Sequence, residues 1–286
     1  MSQSFFLTWA LQTGKLTVFL SLILIGWPLL VGWLTAHLAR RVQRTLVTNF
    51  SEHAQYWVGG LGVIIHELGH LLLALVFMHH ISSLNLLNLS GNRDGSLGSV
   101  ASSYNPRNWY QAVGNFFIGL APMFSGIFVL GWLVKVLCHP NWSPIQAPAF
   151  INQAHPVTDY ASFAWQTCLT WLSETAQAVL ASAGWQQVVL ILLIGMISTT
   201  TFSLSSADLT SSLQGAKTYL VLVMILSLII MGIAIIRPQL TNQLDQLVLR
   251  SAAGWLVLLI LISLCLVISW LEITLVAVLL KILQLK

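Results

Sequence analysis

Charge is what this sequence has least of: twelve Lys or Arg and eight Asp or Glu in 286 residues, 7% of the chain, against 57% hydrophobic residues. Soluble domains carry about 25% charged residues, so this composition excludes them. With a mean hydropathy of +0.83, the chain reads as an integral, multi-pass membrane protein whose surroundings are the lipid bilayer. Cysteine is also scarce. Cys138, Cys168 and Cys265 stand singly, form neither a CxxC metal pattern nor a disulfide framework, and read as apolar filler. No basic face is built: the net charge of +4 is scattered along the chain. That argues against a nucleic-acid partner and leaves the basic residues to set orientation in the membrane.

What the chain does have is apolar length. Spans are expected at about 16–38, 57–79, 113–137, 185–205, 218–236 and 252–270, giving an all-α polytopic fold of about six transmembrane helices in one domain over 1–286. Arg40, Arg41 and Arg44 follow the first span, which by the positive-inside tendency puts the 40–56 loop in the cytoplasm. Residues 81–104 alternate short apolar and polar residues around Gly91, Asn92, Asp94 and Gly95, the pattern of a small β-hairpin. Cys138 to Gly184 lacks Lys and Arg, begins Pro-rich, and continues into a moderately amphipathic segment at about 161–183 that reads as an interfacial helix.

The second span carries His66-Glu67-Leu68-Gly69-His70 near its middle. Ionisable groups are costly at that depth, so a polar patch gluing helices together is a poor account of three within five residues. On a helix, His66 and His70 lie one turn apart on one face and can share a metal ion, while Glu67 stands about 100° round from His66, placed to hold a water. A catalytic Zn2+ takes three protein ligands and leaves a fourth position open. Asp208, in the polar run STTTFSLSSADLTSS, leads the candidates for the third; the plainer reading of that run is a loop with an N-cap aspartate. Asp94 sits in a turn, Asp159 and Glu174 belong to the long loop, and His79 and His80 lie roughly 13 Å beyond His70 along a straight helix. In the third span, Asn115 and a kink at Pro122 are expected to face the HELGH helix and help hold substrate, the alternative being a plain packing helix.

With zinc polarising a peptide carbonyl and acidifying a water, Glu67 takes the water's proton and returns it to the leaving amine. A substrate helix hides its amides in internal hydrogen bonds and has to unwind, and an edge strand of the hairpin offers a place to hold it extended.

HELGH in a hydrophobic span, a short β-forming segment, a Gly/Pro-containing span and a later aspartate resemble the site-2 protease family of intramembrane zinc metalloproteases. The resemblance covers about residues 55–215. It implies His66 and His70 as zinc ligands, Glu67 as catalytic base, a later aspartate, best matched by Asp208, as third ligand, and a membrane-embedded or membrane-anchored protein or peptide as substrate. The chain departs from the family where many members have an Asn/Pro-rich lead into Asp-Gly, for it reads Ser206-Ala207-Asp208-Leu209. Two other readings stand beside this one: a membrane metallopeptidase of the prenyl-protein-processing type, with Glu174 as third ligand, and a non-catalytic membrane binding protein or transporter with a degenerate metal site.

Overall fold

The computed structural model describes residues 3–50, 54–88, 97–144, 157–236 and 239–284; the expected Gly-rich turn around Asp94 lies outside them. The chain runs α1 (Gln3–Ser21), α2 (Trp27–Phe50), α3 (Ala54–Val76), β1 (His80–Asn85), β2 (Ser99–Ser103), α4 (Trp109–Cys138), α5 (Val157–Ala181), α6 (Gly184–Thr201), α7 (Ser206–Ile236) and α8 (Gln239–Gln284). Among the described residues, six helical stretches are long and apolar enough to cross a membrane: Trp9–Phe50, Ala54–Val76, Trp109–Cys138, Gly184–Thr201, Ser206–Ile233 and Val257–Leu283. This is the expected all-helical membrane fold with a small sheet.

Several helix boundaries have a local cause. Between α1 and α2 the residues Leu22–Gly26 widen into a π-turn, where the Trp27 N–H bonds the Leu22 carbonyl. Pro28 follows at once; it has no N–H to give and its ring would press on the carbonyl four residues back, so a widened turn lets the helix continue past it. Asn108 caps α4, its side chain accepting from the Tyr110 and Gln111 N–H groups, and His139 ends that helix in the left-handed region at φ 51°. The fifth apolar segment starts at Ser206, earlier than the expected 218. Its Ser/Thr residues are accommodated in the helix with their hydroxyls satisfied, Thr210 donating to the Ser206 carbonyl at 2.7 Å and Ser212 to that of Asp208 at 3.0 Å.

The packing positions the centre of the molecule. Gly59 and Gly62 let α3 lie against α6, where a Cβ on either would strike Thr200, and Thr200 and Thr201 donate their hydroxyls to the Gly59 and Gly62 carbonyls at 2.6 and 2.9 Å. Helix α4 is flanked in reverse order by the later helices: Cys138 meets Ser182, Gly126 meets Thr201 and Phe202, Gly119 meets Asp208 and Ser212, and Gly215 meets Asn115 and Phe116. Helices α6 and α7 thus succeed one another in the same direction along antiparallel α4, with a break at Phe202–Ser205 between them. Helix α5, the expected interfacial helix, packs chiefly along α8.

Strands β1 and β2 pair antiparallel from His80↔Ser103 to Asn85↔Ser99, with an irregularity between Ile81 and Ser83. The hairpin folds back along α3. Leu87 lies against Gly60, and Gly98 lies so close to Val63 and Glu67 that a Cβ there would come within 2.9 and 2.8 Å of their side chains. Non-helical backbone at this depth is sheltered by protein on one side and by a polar cleft on the other.

Candidate metal centre

Helix α3 presents His66, Glu67 and His70 on adjoining faces, with Glu67 and His70 only 7% and 8% exposed. Both imidazoles are aimed by backbone carbonyls. His66 Nδ1 lies 2.9 Å from the Thr201 carbonyl and His70 Nδ1 lies 2.8 Å from that of Ile118. A carbonyl only accepts, so each Nδ1 carries a proton, and in the neutral form each ring turns an Nε2 lone pair inward.

Those two carbonyls are free for a reason. Thr201 is the last residue of α6, where the final turn of a helix leaves carbonyls without intrahelical donors. Ile118 stands four residues before Pro122 inside α4, and a proline has no N–H to return to it. The break in one helix and the proline in the other therefore each expose one acceptor, and each acceptor orients one histidine.

Asp208 closes the group. It stands in the first turn of α7, where its Oδ2 accepts from the Ser205 N–H at 2.7 Å and the Ser205 hydroxyl accepts from the Asp208 N–H at 3.1 Å. This reciprocal box fixes the carboxylate, which lies 3.3 Å from His70 Nε2 through Oδ1 and 3.8 Å from His66 Nε2 through Oδ2. Ser205, not Asp208, is therefore the cap of α7, and Asp208 reaches back to it from the first turn, which aims the carboxylate at the histidines.

His66, His70 and Asp208 form a group that could hold a metal ion, their ligand atoms all within 4.8 Å of one another. The two Nε2 atoms are 3.2 Å apart. A tetrahedral ion with metal–nitrogen distances of about 2.0–2.1 Å separates its ligand atoms by roughly 3.3–3.4 Å. The His66–His70 and His70–Asp208 Oδ1 separations match that spacing, while His66 lies nearest the other carboxylate oxygen, Oδ2, at 3.8 Å. With both rings neutral, two nitrogen lone pairs and a carboxylate converge with no donor among them, an arrangement that a cation relieves.

A polar cleft of about 480 Å³ opens beside the group, lined by Glu67, by Gly98 to Ser102, and by Ser205, Ala207 and Ser211. Strand β2 forms one wall with the edge that β1 does not use, and the Val100 N–H is turned to the Glu67 carboxylate. Gly98 and Val100 carry no signal of their own in the sequence: the Gly-rich segment marks a turn but not that its strand returns to the helix. Arg40, a topology marker by sequence, donates to the Leu204 carbonyl at 3.2 Å, and Gln43 accepts from the Ser203 hydroxyl at 3.0 Å, so α2 grips the break before Asp208.

The other candidates fall elsewhere. Asn115 is buried in α4 one turn before Ile118, its Nδ2 has no partner, and it is not among the residues lining the cleft. His79 stacks on Tyr104 and bonds the Gln111 carbonyl. Glu174 accepts from the Ser143 N–H and hydroxyl, fastening the chain after α4 to α5. Asp94 and the Asp159 side chain lie outside the described residues.

Pro122→Ala gives the carbonyl of Ile118 an intrahelical partner again. Retention of metal against a chelator should fall about 10–100-fold, the usual cost of losing a group that orients a ligand. Thermal stability should hold or rise, because an interior proline costs a helix about 3 kcal/mol. Unchanged retention would mean that His70 needs no freed carbonyl.

Compared with protein-family models, with curated proteins and with solved structures, the chain matches none.

Proposed function

We propose that the protein is an intramembrane zinc metallopeptidase, hydrolysing a peptide bond in a membrane-embedded or membrane-anchored protein or peptide. The observation that carries this reading is the convergence of His66 Nε2, His70 Nε2 and the Asp208 carboxylate on a cleft that also holds Glu67 and a strand edge. Two imidazoles and one carboxylate suit zinc in a site that keeps a position open. Bound there, zinc would acidify a water and polarise the carbonyl to be cleaved.

The remaining work belongs to the chain. Glu67 is no part of the ligand group, so its carboxylate is free to accept a proton from the attacking water and pass it to the leaving nitrogen. The serine-rich cleft wall admits water to that carboxylate. Since Val100 turns its N–H away from β1, Ser102, two residues on, presents its own on the same edge. An extended substrate segment pairing with this edge recovers the hydrogen bonds lost on unwinding, while the edge itself gains partners in a setting with little water.

Ser102→Pro deletes one of these outward N–H groups without removing a bond to β1. Catalytic efficiency should drop about tenfold, the order of one hydrogen bond left unmade, mostly through KM, with metal content unchanged. Intact cleavage kinetics would remove the strand-pairing step. The function itself is tested by comparing peptides released from membranes of cells that carry the native chain with those from cells carrying His66→Ala/His70→Ala. Native-specific products are expected, and identical peptide profiles would overturn the reading.

A further inference from the structure

The break between α6 and α7 is held from outside by α2. Leu204 is buried, and its side chain lies so close to Gly32 that a Cβ on the glycine would come within 3.4 Å of it. The Leu204 carbonyl accepts from Arg40 Nη1 at 3.2 Å, and Gln43 accepts from the Ser203 hydroxyl at 3.0 Å. The other arm of the guanidinium donates to His37 Nδ1 at 3.0 Å, since arginine has no acceptor to offer. Leu204 stands four residues before Asp208, and Gly32 also meets Leu120, two residues from Ile118. Arg40 therefore reaches the backbone at the depth of the metal centre. An arginine is costly there and pairs with backbone carbonyls, so setting orientation in the membrane is an incomplete account of it.

The carbonyls of the break divide the work. That of Thr200 accepts from the Ser203 N–H and that of Phe202 from the Leu204 N–H, at 3.1 Å each. The Thr201 carbonyl takes His66, and the Leu204 carbonyl takes Arg40. Ser205 then exchanges bonds with Asp208. One short piece of chain thus aims a ligand from each end, His66 through Thr201 and Asp208 through Ser205, and a shift of the Leu204 peptide between them disturbs both. We propose that Arg40 is a positioning residue for the metal centre: through the Leu204 carbonyl, with Gln43 beside it, it fixes the turn on which the directions of His66 and Asp208 both depend. The inference rests on the metal reading of this site and not on peptide hydrolysis. It makes α2, which supplies no ligand to the group, the helix whose seating sets the affinity of the centre.

The test compares Arg40→Met, Arg40→Lys and Leu190→Ala with the native full chain. Methionine keeps the apolar stem of arginine and removes its donors, while lysine keeps a charged donor on a stem of similar reach. Leu190 is buried in α6, about 16 Å along that helix from Thr201, so Leu190→Ala lowers stability by emptying core volume and leaves the break alone. Retention of zinc against a chelator should fall about tenfold in Arg40→Met, the lower end of what an outer support of a ligand is worth. It should recover most of that loss in Arg40→Lys and stay native in Leu190→Ala. The visible absorption of bound Co2+ should change in Arg40→Met and not in Leu190→Ala. In the metal-free chain, hydrogen exchange of the 203–205 amides should quicken severalfold in Arg40→Met and not in Leu190→Ala. Native retention in Arg40→Met, no recovery in Arg40→Lys, an equal loss of metal in Leu190→Ala, an unchanged Co2+ spectrum or unchanged exchange would each overturn the positioning role. A native chain that binds no zinc would overturn the metal reading on which the role rests.

Discussion

Glu67→Gln should lose about 10²–10⁴ in turnover, the range that general acid–base catalysis contributes, while binding metal as the native chain does. The reason lies in what each part of the carboxylate does. Glu67 contributes nothing to the triangle of His66, His70 and Asp208, so an uncharged side chain of the same shape leaves the ligands in place. The amide oxygen of glutamine still accepts from the Val100 N–H that faces this position, and its fit beside Gly98 is preserved. What the amide lacks is basicity: it cannot take a proton from water at neutral pH, and the leaving nitrogen then departs unprotonated. Metal content per chain, a melting curve and single-turnover cleavage of a membrane peptide, measured together, separate the alternatives. A variant that keeps its metal and its fold and still cleaves would end the assignment of Glu67 as the base. Loss of metal in the same variant would recast the residue as part of the ligand shell.

Much of this site is legible in the sequence alone. His66, Glu67 and His70 are legible because helical periodicity is local: one turn is enough to put two imidazoles on one face. The hairpin is legible from its alternation and turn residues. Asp208 stands out as a costly carboxylate, but the Ser/Thr run around it reads as a loop or cavity wall, since hydroxyls that bond back to carbonyls within their own helix look the same in sequence as hydroxyls that face water. The orientation of the histidines is hidden for a different reason. Their acceptors lie 135 and 48 residues away, and each is available only because a helix is broken in one case and contains a proline in the other. Pro122 announces a kink; which carbonyl it frees, and which side chain takes it, is set only by the antiparallel packing of α3 on α4. The succession of α6 and α7 along α4 is likewise out of reach, because an apolar window has a length but no direction.

The second large effect belongs to Asp208, whose proposed ligand role and capping contact can be pulled apart. Asp208→Ala removes the proposed ligand atom and the acceptor for the Ser205 N–H; it should cost about 1 kcal/mol of stability for the lost capping contact and weaken metal retention more than the 10–100-fold that an orienting group is worth. Asp208→Asn keeps a side-chain oxygen for the Ser205 N–H, so the start of α7 should melt as in the native chain. It lacks the charge that balances a dication between two neutral imidazoles, so its metal retention should fall nearly as far as in the alanine variant. Ser205→Ala completes the comparison from the other side: it breaks the bond from the Asp208 N–H, leaves the carboxylate accepting from the Ser205 backbone, and should cost stability with a small loss of metal. Excess zinc then reads the difference as a melting shift. A ligand at 100 times its Kd stabilises the folded state by about 2.7 kcal/mol, so the native chain and Ser205→Ala should rise in melting temperature on adding metal, and the two Asp208 variants should not. If Asp208→Asn rises as far as the native chain, the aspartate makes the capping contact alone, and the third ligand must be sought outside the triangle.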